Sequence, residues 1–345
     1  MLYHILTNYK CQRLVFLLNA LKSLLWILRH NELDVIKLYN SITPFVQVAT
    51  GGNNNMLNFG YWSQKTNSPL KAQEDLSTLV GKFADFQSAE RVVDVGSGFS
   101  APAIHWKLTY DFLDVLCVDI NPQQLHTARR ILIPPRGTKI TTTSDDSTSI
   151  AEVKARRQTT AVLGGDVISL VNTTATKLPF IDGCVDRIVA LESAQHFNQP
   201  EYFFRESKRI LNPAGLMVIA IPIIDSNKMN GTSSLIQQFR NLGILYFSWA
   251  SEHHTIENIK SSITSEGLNI EHIKFIGQHV YEPLTNYYIH NRKLLKRTIR
   301  KSLASYTQVM LFEIVENIVY TSALKMKDLS KKGIIDYVLV RAVKP

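Results

Sequence analysis

The stretch RVVDVGSGFS at residues 91–100, with the strand VLCVD that follows at 115–119, decides the fold of this chain. An apolar strand runs into a glycine turn, and a second apolar strand ends on a carboxylate. In a parallel sheet this arrangement builds a nucleotide-binding crevice at the carboxyl edge of the strands. Gly96 and Gly98 permit positive φ or a close approach of a ligand to the backbone. The stretch therefore predicts an α/β fold.

Asp94, two residues before the first glycine, indicates which nucleotide fits. Residues 96–101 also satisfy the G-x-G-x-x-A pattern of dinucleotide-binding turns, so an NAD(P)- or flavin-dependent oxidoreductase is the first alternative. A carboxylate beside a pyrophosphate is repelled by like charge, whereas a ligand ammonium or sulfonium is attracted. S-adenosylmethionine carries both of these cations. Asp94 therefore favours S-adenosylmethionine as the cofactor.

Further motifs follow the glycine turn in a specific order. A Leu-Pro-Phe segment at 178–180 precedes the apolar strand 187–191, and a Pro-Ala-Gly turn at 213–215 precedes the next buried strand. As a set, these motifs resemble the class I S-adenosylmethionine-dependent methyltransferases, in particular those that act on natural products, quinones, sterols or tocopherols. The resemblance covers residues 50–225. It implies a Rossmann-like sheet, mostly parallel with an antiparallel last strand, and helical lid insertions.

The resemblance also implies a cofactor site. The methionine and ribose parts of S-adenosylmethionine would lie along Asp94, Gly96 and Gly98. The ribose hydroxyls would be held by Asp119, which ends its strand at the ligand-binding edge.

The adenine would lie beside Ile120, Thr174 and Ala175, according to the same resemblance. Two positions depart from the family pattern. A third glycine is common where this chain has Ser100, and an acid usually stands where it has Thr174. The threonine hydroxyl can still bond the adenine amino group, but it supplies no charge.

The segment Asn58-Phe-Gly-Tyr-Trp precedes the sheet and resembles a segment that closes over the cofactor in similar enzymes. Tyr61 and Trp62 would offer their π faces to the sulfonium. Ordinary packing of this segment against the core is the alternative interpretation.

His196 is the candidate catalytic base. It follows the strand at 187–191, at the edge where open α/β sheets place their ligands. A hydroxyl acceptor must lose its proton during methyl transfer, and histidine is the commonest group that accepts one. The alternative role for His196 is to cap or orient its loop. Glu192 lies at the same edge, where it would orient the cofactor or His196, or remain solvated.

Composition, charge and cysteine count further limit the possible partners and compartment. The chain has 345 residues, 45% of them hydrophobic, with a formal charge of +9 and a pI of about 9.3. No RNA-binding pattern or basic–aromatic interleaving accompanies this charge, so no nucleic-acid partner is predicted. Cys11, Cys117 and Cys184 are scattered and odd in number, which indicates free thiols in a reducing, cytoplasmic compartment rather than a disulfide frame or metal site.

Residues 14–28 form an apolar run that is too short to span a bilayer comfortably and is accompanied by basic residues. One interpretation is a peripheral membrane contact through residues 10–30. A helix packed across the mouth of the active site and a targeting segment are the alternatives.

The chain is predicted to comprise a helical N-terminal cap at 1–85 and a methyltransferase domain at 86–345. A polar Thr/Ser-rich tract indicates an exposed insertion at 134–165. Lid insertions are predicted at 225–268 and 281–332.

These observations predict methyl transfer from S-adenosylmethionine to a small, aromatic or lipophilic acceptor, with oxygen the favoured atom. The oxidoreductase is one alternative. A catalytically silent methyltransferase-like scaffold is another, because Ser100 and Thr174 depart from the family pattern and the N-terminus is basic. Oligomeric state has no signal in the sequence.

Overall fold

The structure is a computed structural model that describes residues 32–49, 55–132, 159–163, 166–197, 199–225, 255–302 and 306–345. Its strands, in chain order, are β1 (Arg91–Val95), β2 (Asp114–Asp119), β3 (Thr159–Leu163), β4 (Asp166–Asn172), β5 (Val185–Leu191), β6 (Leu211–Ile224), β7 (Asn269–Phe275) and β8 (Ile335–Val343).

The helices of the described ranges are α1 (Glu32–Ala49), α2 (Pro69–Phe83), α3 (Ala101–Thr109), α4 (Pro122–Leu132), α5 (Pro200–Ile210), α6 (Ile256–Ser265), α7 (Tyr281–Ser302) and α8 (Tyr306–Lys331). Short 3₁₀ turns occur at Phe86–Ser88, Ala194–His196 and Gly277–His279. None of the helices in these ranges is long and apolar enough to cross a membrane.

The strands form one eight-stranded sheet in the order β3-β4-β2-β1-β5-β6-β8-β7. Strands β4, β2, β1, β5 and β6 are parallel. The last strand, β8, lies antiparallel between β6 and β7. This confirms the predicted Rossmann-like sheet, which is mostly parallel with an antiparallel last strand.

One strand lies inside the tract predicted as an exposed insertion at 134–165. Strand β3 pairs antiparallel with β4, from Thr159 opposite Leu170 to Leu163 opposite Asp166. The polar composition before it hid this short TTAVL segment, whose backbone completes the hydrogen bonding of the otherwise open edge of β4. Residues 133–158 lie outside the described residues, as do the apolar run at 14–28 and Cys11.

Parallel pairing places the carboxyl ends of β1, β2, β4 and β5 at one edge of the sheet. Strand β1 lies between β2 and β5, so that Asp94 is opposite Cys117 on one side and Val189 on the other. The chain order changes direction at β1, and a ligand crevice opens at such a switch point. The glycine turn that follows β1 therefore stands at the centre of this edge.

Apolar side chains cover both faces of the sheet. On one face, α2 and α3 pack with a cluster that includes Leu76, Val80 and Trp106. On the other face, α5 and α6 bury Phe203 and Ile263 against the strands. Alternation along β1 sends Val92 to the first cluster and Val93 to the second. This three-layer arrangement holds the strand ends rigidly.

Helix α1 lies against the carboxyl edge of the sheet, where it lines the pocket, and it contacts α7. Helices α7 and α8 form a hairpin held by buried and half-buried ion pairs, including Arg292 Nε to Glu316 Oε1 at 2.6 Å and Lys296 Nζ to Glu313 Oε2 at 2.6 Å.

Trp106 of α3 offers a test of this core. Its side chain is fully buried, packs edge-on against Phe86 and donates from Nε1 to the carbonyl of Ser77 at 2.8 Å. Replacement Trp106→Ala should lower the free energy of unfolding by about 3–5 kcal/mol in urea titrations, because it leaves a cavity. Leu108→Ala on the same helix, where Leu108 is 69% exposed, should change it by less than about 0.5 kcal/mol. Equal effects would show that α3 does not pack as described.

Candidate active site

A pocket opens over the carboxyl ends of β1, β2, β4 and β5. It encloses about 1080 Å³ of empty space, part of it open to solvent. Helix α1 forms one wall. The predicted site residues that line the pocket are Asp94, Gly96, Gly98, Asp119, Ile120, Thr174, Ala175 and His196. The fold therefore brings together residues that are more than a hundred positions apart in the chain.

The glycine turn requires glycine at its first position for two reasons. Gly96 has a φ of +77°, and a Cβ there would lie 2.3 Å from the Cβ of Ser193. At Gly98 the reason is conformational, because φ is +57° but the nearest atom to a Cβ would be 3.7 Å away. The close approach of the turn to Ser193 joins the β1 and β5 sides of the pocket.

Ser100 occupies the position where class I methyltransferases often have glycine. Its backbone conformation shows why glycine is common there. Its φ is +57°, in the left-handed region, at the N-terminus of α3. The side chain is fully buried, and its Oγ donates to Ser97 Oγ at 3.3 Å. The turn therefore keeps the conformation that glycine favours, although this chain carries a serine.

Asp119 holds the turn together. Its Oδ2 accepts from the N–H of Gly98 at 2.7 Å, and its Oδ1 accepts from the N–H of Asn121 at 2.7 Å. Burial outweighs these hydrogen bonds and raises the pKa of Asp119 to about 6. Each carboxylate oxygen has a second lone pair, so a ligand hydroxyl can still be bound.

Asp94 faces the same pocket without an equivalent set of donors. Its side chain is 2% exposed, and its Oδ2 has no hydrogen-bond partner among the described residues. Burial, together with the charge of Asp119, raises the pKa of Asp94 to about 8. A buried carboxyl group without a partner is costly, and a cation bound in the pocket would remove that cost.

Glu192 is a third buried carboxyl group at this edge. Its Oε1 accepts from the backbone N–H of Phe59 at 2.9 Å and from Tyr337 Oη at 3.0 Å. Burial raises the pKa of Glu192 to about 8 in spite of these donors. Its backbone has a φ of +52°, which is uncommon for a residue with a side chain and is often found at functional sites.

His196 meets a residue that the sequence did not single out. Its Nε2 lies 2.9 Å from Tyr39 Oη, and the two rings are edge-to-face with centroids 5.4 Å apart. Tyr39 belongs to α1 and lines the pocket. A single tyrosine on a helix has no motif that marks it, so only the packing of α1 over the sheet edge reveals the pair.

Thr174 also meets α1. Its Oγ1 donates to Glu32 Oε1 at 2.5 Å, and Glu32 lines the pocket. The sequence lacks an acid at position 174, but the structure places a carboxylate beside it from a distant part of the chain. The missing charge is therefore present at this end of the pocket.

Tyr61 and Trp62 lie outside the pocket walls described here. Gly60, with a φ of +84°, turns the chain so that Asn58 reaches the pocket, while the two rings pack elsewhere. Tyr61 packs against His279 with centroids 4.8 Å apart, and Trp62 against Tyr287 at 5.5 Å. The two rings thus join the N-terminal segment to residues 279–287, and neither ring lines this pocket.

The electrostatics of the pocket select for a cation. Asp94, Asp119 and Glu192 are all buried there, and burial raises the pKa of each, so that ionised carboxylates are disfavoured in the empty pocket. A pyrophosphate would disfavour ionised carboxylates further, whereas an ammonium or sulfonium would favour them. Among the described residues, no group of His, Cys, Asp and Glu side chains is arranged to hold a metal ion.

Sequence comparisons relate the chain to methyltransferases. A family model described as a methyltransferase domain matches residues 131–219. The chain is 23% identical over 295 residues to erythromycin 3''-O-methyltransferase of Saccharopolyspora erythraea, covering 84% of this chain and 83% of that protein. It is 24% identical over 216 residues to methyltransferase GfsG of Streptomyces halstedii, covering 62% of this chain and 66% of that protein.

Solved structures with the same fold carry out more than one reaction. Geranyl diphosphate methyltransferase superposes with a TM-score of 0.63 at 12% identity, over 90% of this chain and 98% of that one. The [4+2]-cyclase SpnF superposes with a TM-score of 0.61 at 18% identity, over 90% and 95%. At these identities the likeness is one of fold, and the reaction must be argued from the site.

Replacement of Gly96 tests the close approach of the turn. Gly96→Ala should destabilise the protein by about 2–5 kcal/mol, because it combines a left-handed backbone with a steric overlap on Ser193. Gly183→Ala is the matched control, since Gly183 has a φ of +56° but the nearest atoms to its Cβ would be 3.9 Å away. It should cost only about 1–2 kcal/mol in the same urea titration. Equal losses would mean that Ser193 does not approach the turn.

The buried carboxyl groups predict how stability depends on pH. The pKa values of Asp94 and Glu192 are about 8 in the folded chain and near 4 when unfolded, so the folded state binds more protons between these values. The free energy of unfolding of the cofactor-free protein should therefore fall as pH rises from 5 to 8. Urea titrations across this range should show a shallower fall in Asp94→Asn. A stability that rises with pH in both proteins would contradict this assignment.

Proposed function

Since the chain belongs to the class I S-adenosylmethionine-dependent methyltransferases, we propose that it transfers the methyl group of S-adenosylmethionine to an oxygen atom of a small, lipophilic acceptor. The observation that carries the proposal is the buried Asp94 carboxyl group, which lines the pocket and whose Oδ2 has no hydrogen-bond partner among the described residues.

The cofactor end of the pocket fits the charged nucleoside. Asp94 would bind a cationic group of the cofactor, and Asp119 would accept from ribose hydroxyls through its remaining lone pairs. Ile120 and Ala175 offer apolar surface for the adenine. Thr174, with Glu32 beside it, would accept from the adenine amino group.

The acceptor end of the pocket has different walls. Val35 and Ile36 of α1, the helix that carries Tyr39, also line the pocket, as does Phe197, which follows His196 in the chain. Apolar walls with a few convergent polar groups are typical of sites for lipophilic small molecules. Erythromycin 3''-O-methyltransferase is by name an O-methyltransferase, which supports oxygen as the acceptor atom here.

In methyl transfer the protein forms no covalent bond with the substrates. The methyl sulfonium of S-adenosylmethionine supplies the reactive carbon, and the enzyme aligns the acceptor with it and excludes water. His196 would hold the proton that the acceptor hydroxyl gives up. The acidic pocket disfavours the oxidoreductase alternative, because a nicotinamide or flavin dinucleotide would place a pyrophosphate among buried carboxyl groups.

The cysteines favour a reducing compartment. Cys117 and Cys184 are free thiols, and burial raises the pKa of each. Such thiols persist in a reducing, cytoplasmic compartment.

Calorimetry with S-adenosylhomocysteine tests the cofactor site. Asp94 must release a proton before it can pair with the ligand ammonium, so affinity should rise about fivefold or more from pH 6 to pH 8. Asp94→Asn should bind about tenfold or more weakly at pH 8 and show a flatter pH dependence, because it has no charge to form.

The same titrations separate the alternatives. Asp75→Asn, on the outer surface of α2, is the control for loss of one carboxylate, and it should bind normally. Tight binding of NADH with no heat from S-adenosylhomocysteine would overturn the proposed function. Normal binding with no labelled product from any cell extract would favour a silent scaffold.

A further inference from the structure

The contact between Tyr39 and His196 changes how a proton can leave the acceptor. Tyr39 Oη lies 2.9 Å from His196 Nε2, and both residues line the pocket. The contact joins residues 157 positions apart, on α1 and on the 3₁₀ turn after β5. The nitrogen of His196 that would otherwise accept a proton therefore already has the tyrosine hydroxyl on it.

The surroundings of Nε2 indicate which group donates. Gln195 Nε2 lies 3.4 Å from the same nitrogen, although it makes a shorter bond of 2.7 Å to the carbonyl of Glu192. An amide NH₂ can only donate, so both neighbours of His196 Nε2 are compatible with an acceptor nitrogen. In that tautomer the imidazole proton is on Nδ1, and the Tyr39 hydroxyl donates to Nε2.

Tyr39 itself is held in the protonated form. Burial, with the nearby carboxyl groups of Glu192 and Asp119, raises the pKa of Tyr39 above its usual value. The hydroxyl therefore has a proton to donate at neutral pH, and its oxygen lone pairs can still accept from a ligand. Asp119, whose pKa of about 6 leaves it ionised at neutral pH, would stabilise a positive charge on the neighbouring imidazole.

We propose that Tyr39 is a catalytic residue that relays the proton of the acceptor hydroxyl to His196. This inference rests on the proposed O-methyl transfer. The acceptor O–H bond breaks as its proton passes to Tyr39 Oη, and the Tyr39 proton passes to His196 Nε2. In the same step the acceptor oxygen bonds to the methyl carbon, and the carbon–sulfur bond breaks. The positive charge lost from the sulfonium reappears on the imidazolium, so charge balances.

The relay gives α1 a role in the chemistry. The hydroxyl of Tyr39 is the group that touches the acceptor, and His196 stores the proton behind it. His196, which the sequence predicts as the catalytic base, would then accept the proton without contacting the acceptor. A phenylalanine at 39 would keep the edge-to-face packing on His196 but break the proton path.

The test compares Tyr39→Phe, His196→Gln and the double variant with the wild-type chain. The assay supplies methyl-labelled S-adenosylmethionine and a cell extract as the source of acceptor, and follows the labelled product. At a fixed amount of extract, Tyr39→Phe should lower the maximal rate of labelled-product formation about 100-fold or more, while KM for S-adenosylmethionine stays within about threefold. The double variant should be no slower than the slower single variant, because relay members act as a unit.

The pH dependence of the rate loss in Tyr39→Phe distinguishes a proton relay from a structural role of Tyr39. Without the relay, the rate of Tyr39→Phe should rise about tenfold per pH unit above pH 7, because hydroxide or the ionised acceptor replaces the missing base. A structural defect would give a loss that does not depend on pH. Tyr202→Phe, at an exposed tyrosine of α5, is the matched control and should keep the full rate.

An NMR measurement tests the hydrogen bond without any acceptor. Long-range ¹H–¹⁵N correlation should show His196 with its proton on Nδ1 in the wild type, assigned by loss of the signal in His196→Gln. The Nε2 shift should move toward that of an unbonded nitrogen in Tyr39→Phe. An Nε2 proton in the wild type would overturn the relay.

Three outcomes would separate a failure of the Tyr39 relay from a failure of the proposed methyltransferase function. A full rate in Tyr39→Phe with an inactive His196→Gln would show that His196 takes the proton directly and overturn the relay. A pH-independent loss with additive variants would also overturn it. A wild type that neither binds S-adenosylhomocysteine nor yields labelled product would overturn the proposed function, and with it the relay.

Discussion

The burial of three carboxyl groups at one sheet edge is the constraint on which the site depends. Asp94, Asp119 and Glu192 each come from the end of a different parallel strand, so the topology itself brings three acidic groups together. Burial raises the pKa of all three. The three buried acidic groups make the cofactor-free protein less stable than it would be with neutral residues at these positions. A bound cation offsets this loss of stability.

Helix α1 completes the pocket that the sheet begins. It places Glu32 beside Thr174 and Tyr39 beside His196, and it adds apolar wall near the acceptor end. In the proposed function, the sheet supplies the cofactor contacts and α1 supplies groups for the acceptor chemistry. Such a division allows one fold to serve different acceptors, and the cyclase among the structural neighbours shows that it also serves other reactions.

The glycine turn and strand-end acids were readable from sequence because their chemistry is local. Gly96 and Gly98 take positive φ as the motif predicts, and the predicted strands after them form in the predicted order. Strand β3 was missed because a polar tract surrounds it and its pairing partner is an edge. Tyr61 and Trp62 were assigned to the cofactor by resemblance, but Tyr61 packs on His279 of a 3₁₀ turn and Trp62 on Tyr287 of α7, and neither ring lines the pocket.

The sequence by itself determined the sheet, the turn and the preference for a cationic nucleoside, because strand periodicity, glycine and a strand-end carboxylate act over a few residues. Only the tertiary structure decided which groups stand beside Thr174 and His196. Glu32 and Tyr39 are 142 and 157 positions away from these partners in the chain. No spacing rule links residues so far apart; their meeting depends on how α1 packs over the strand ends.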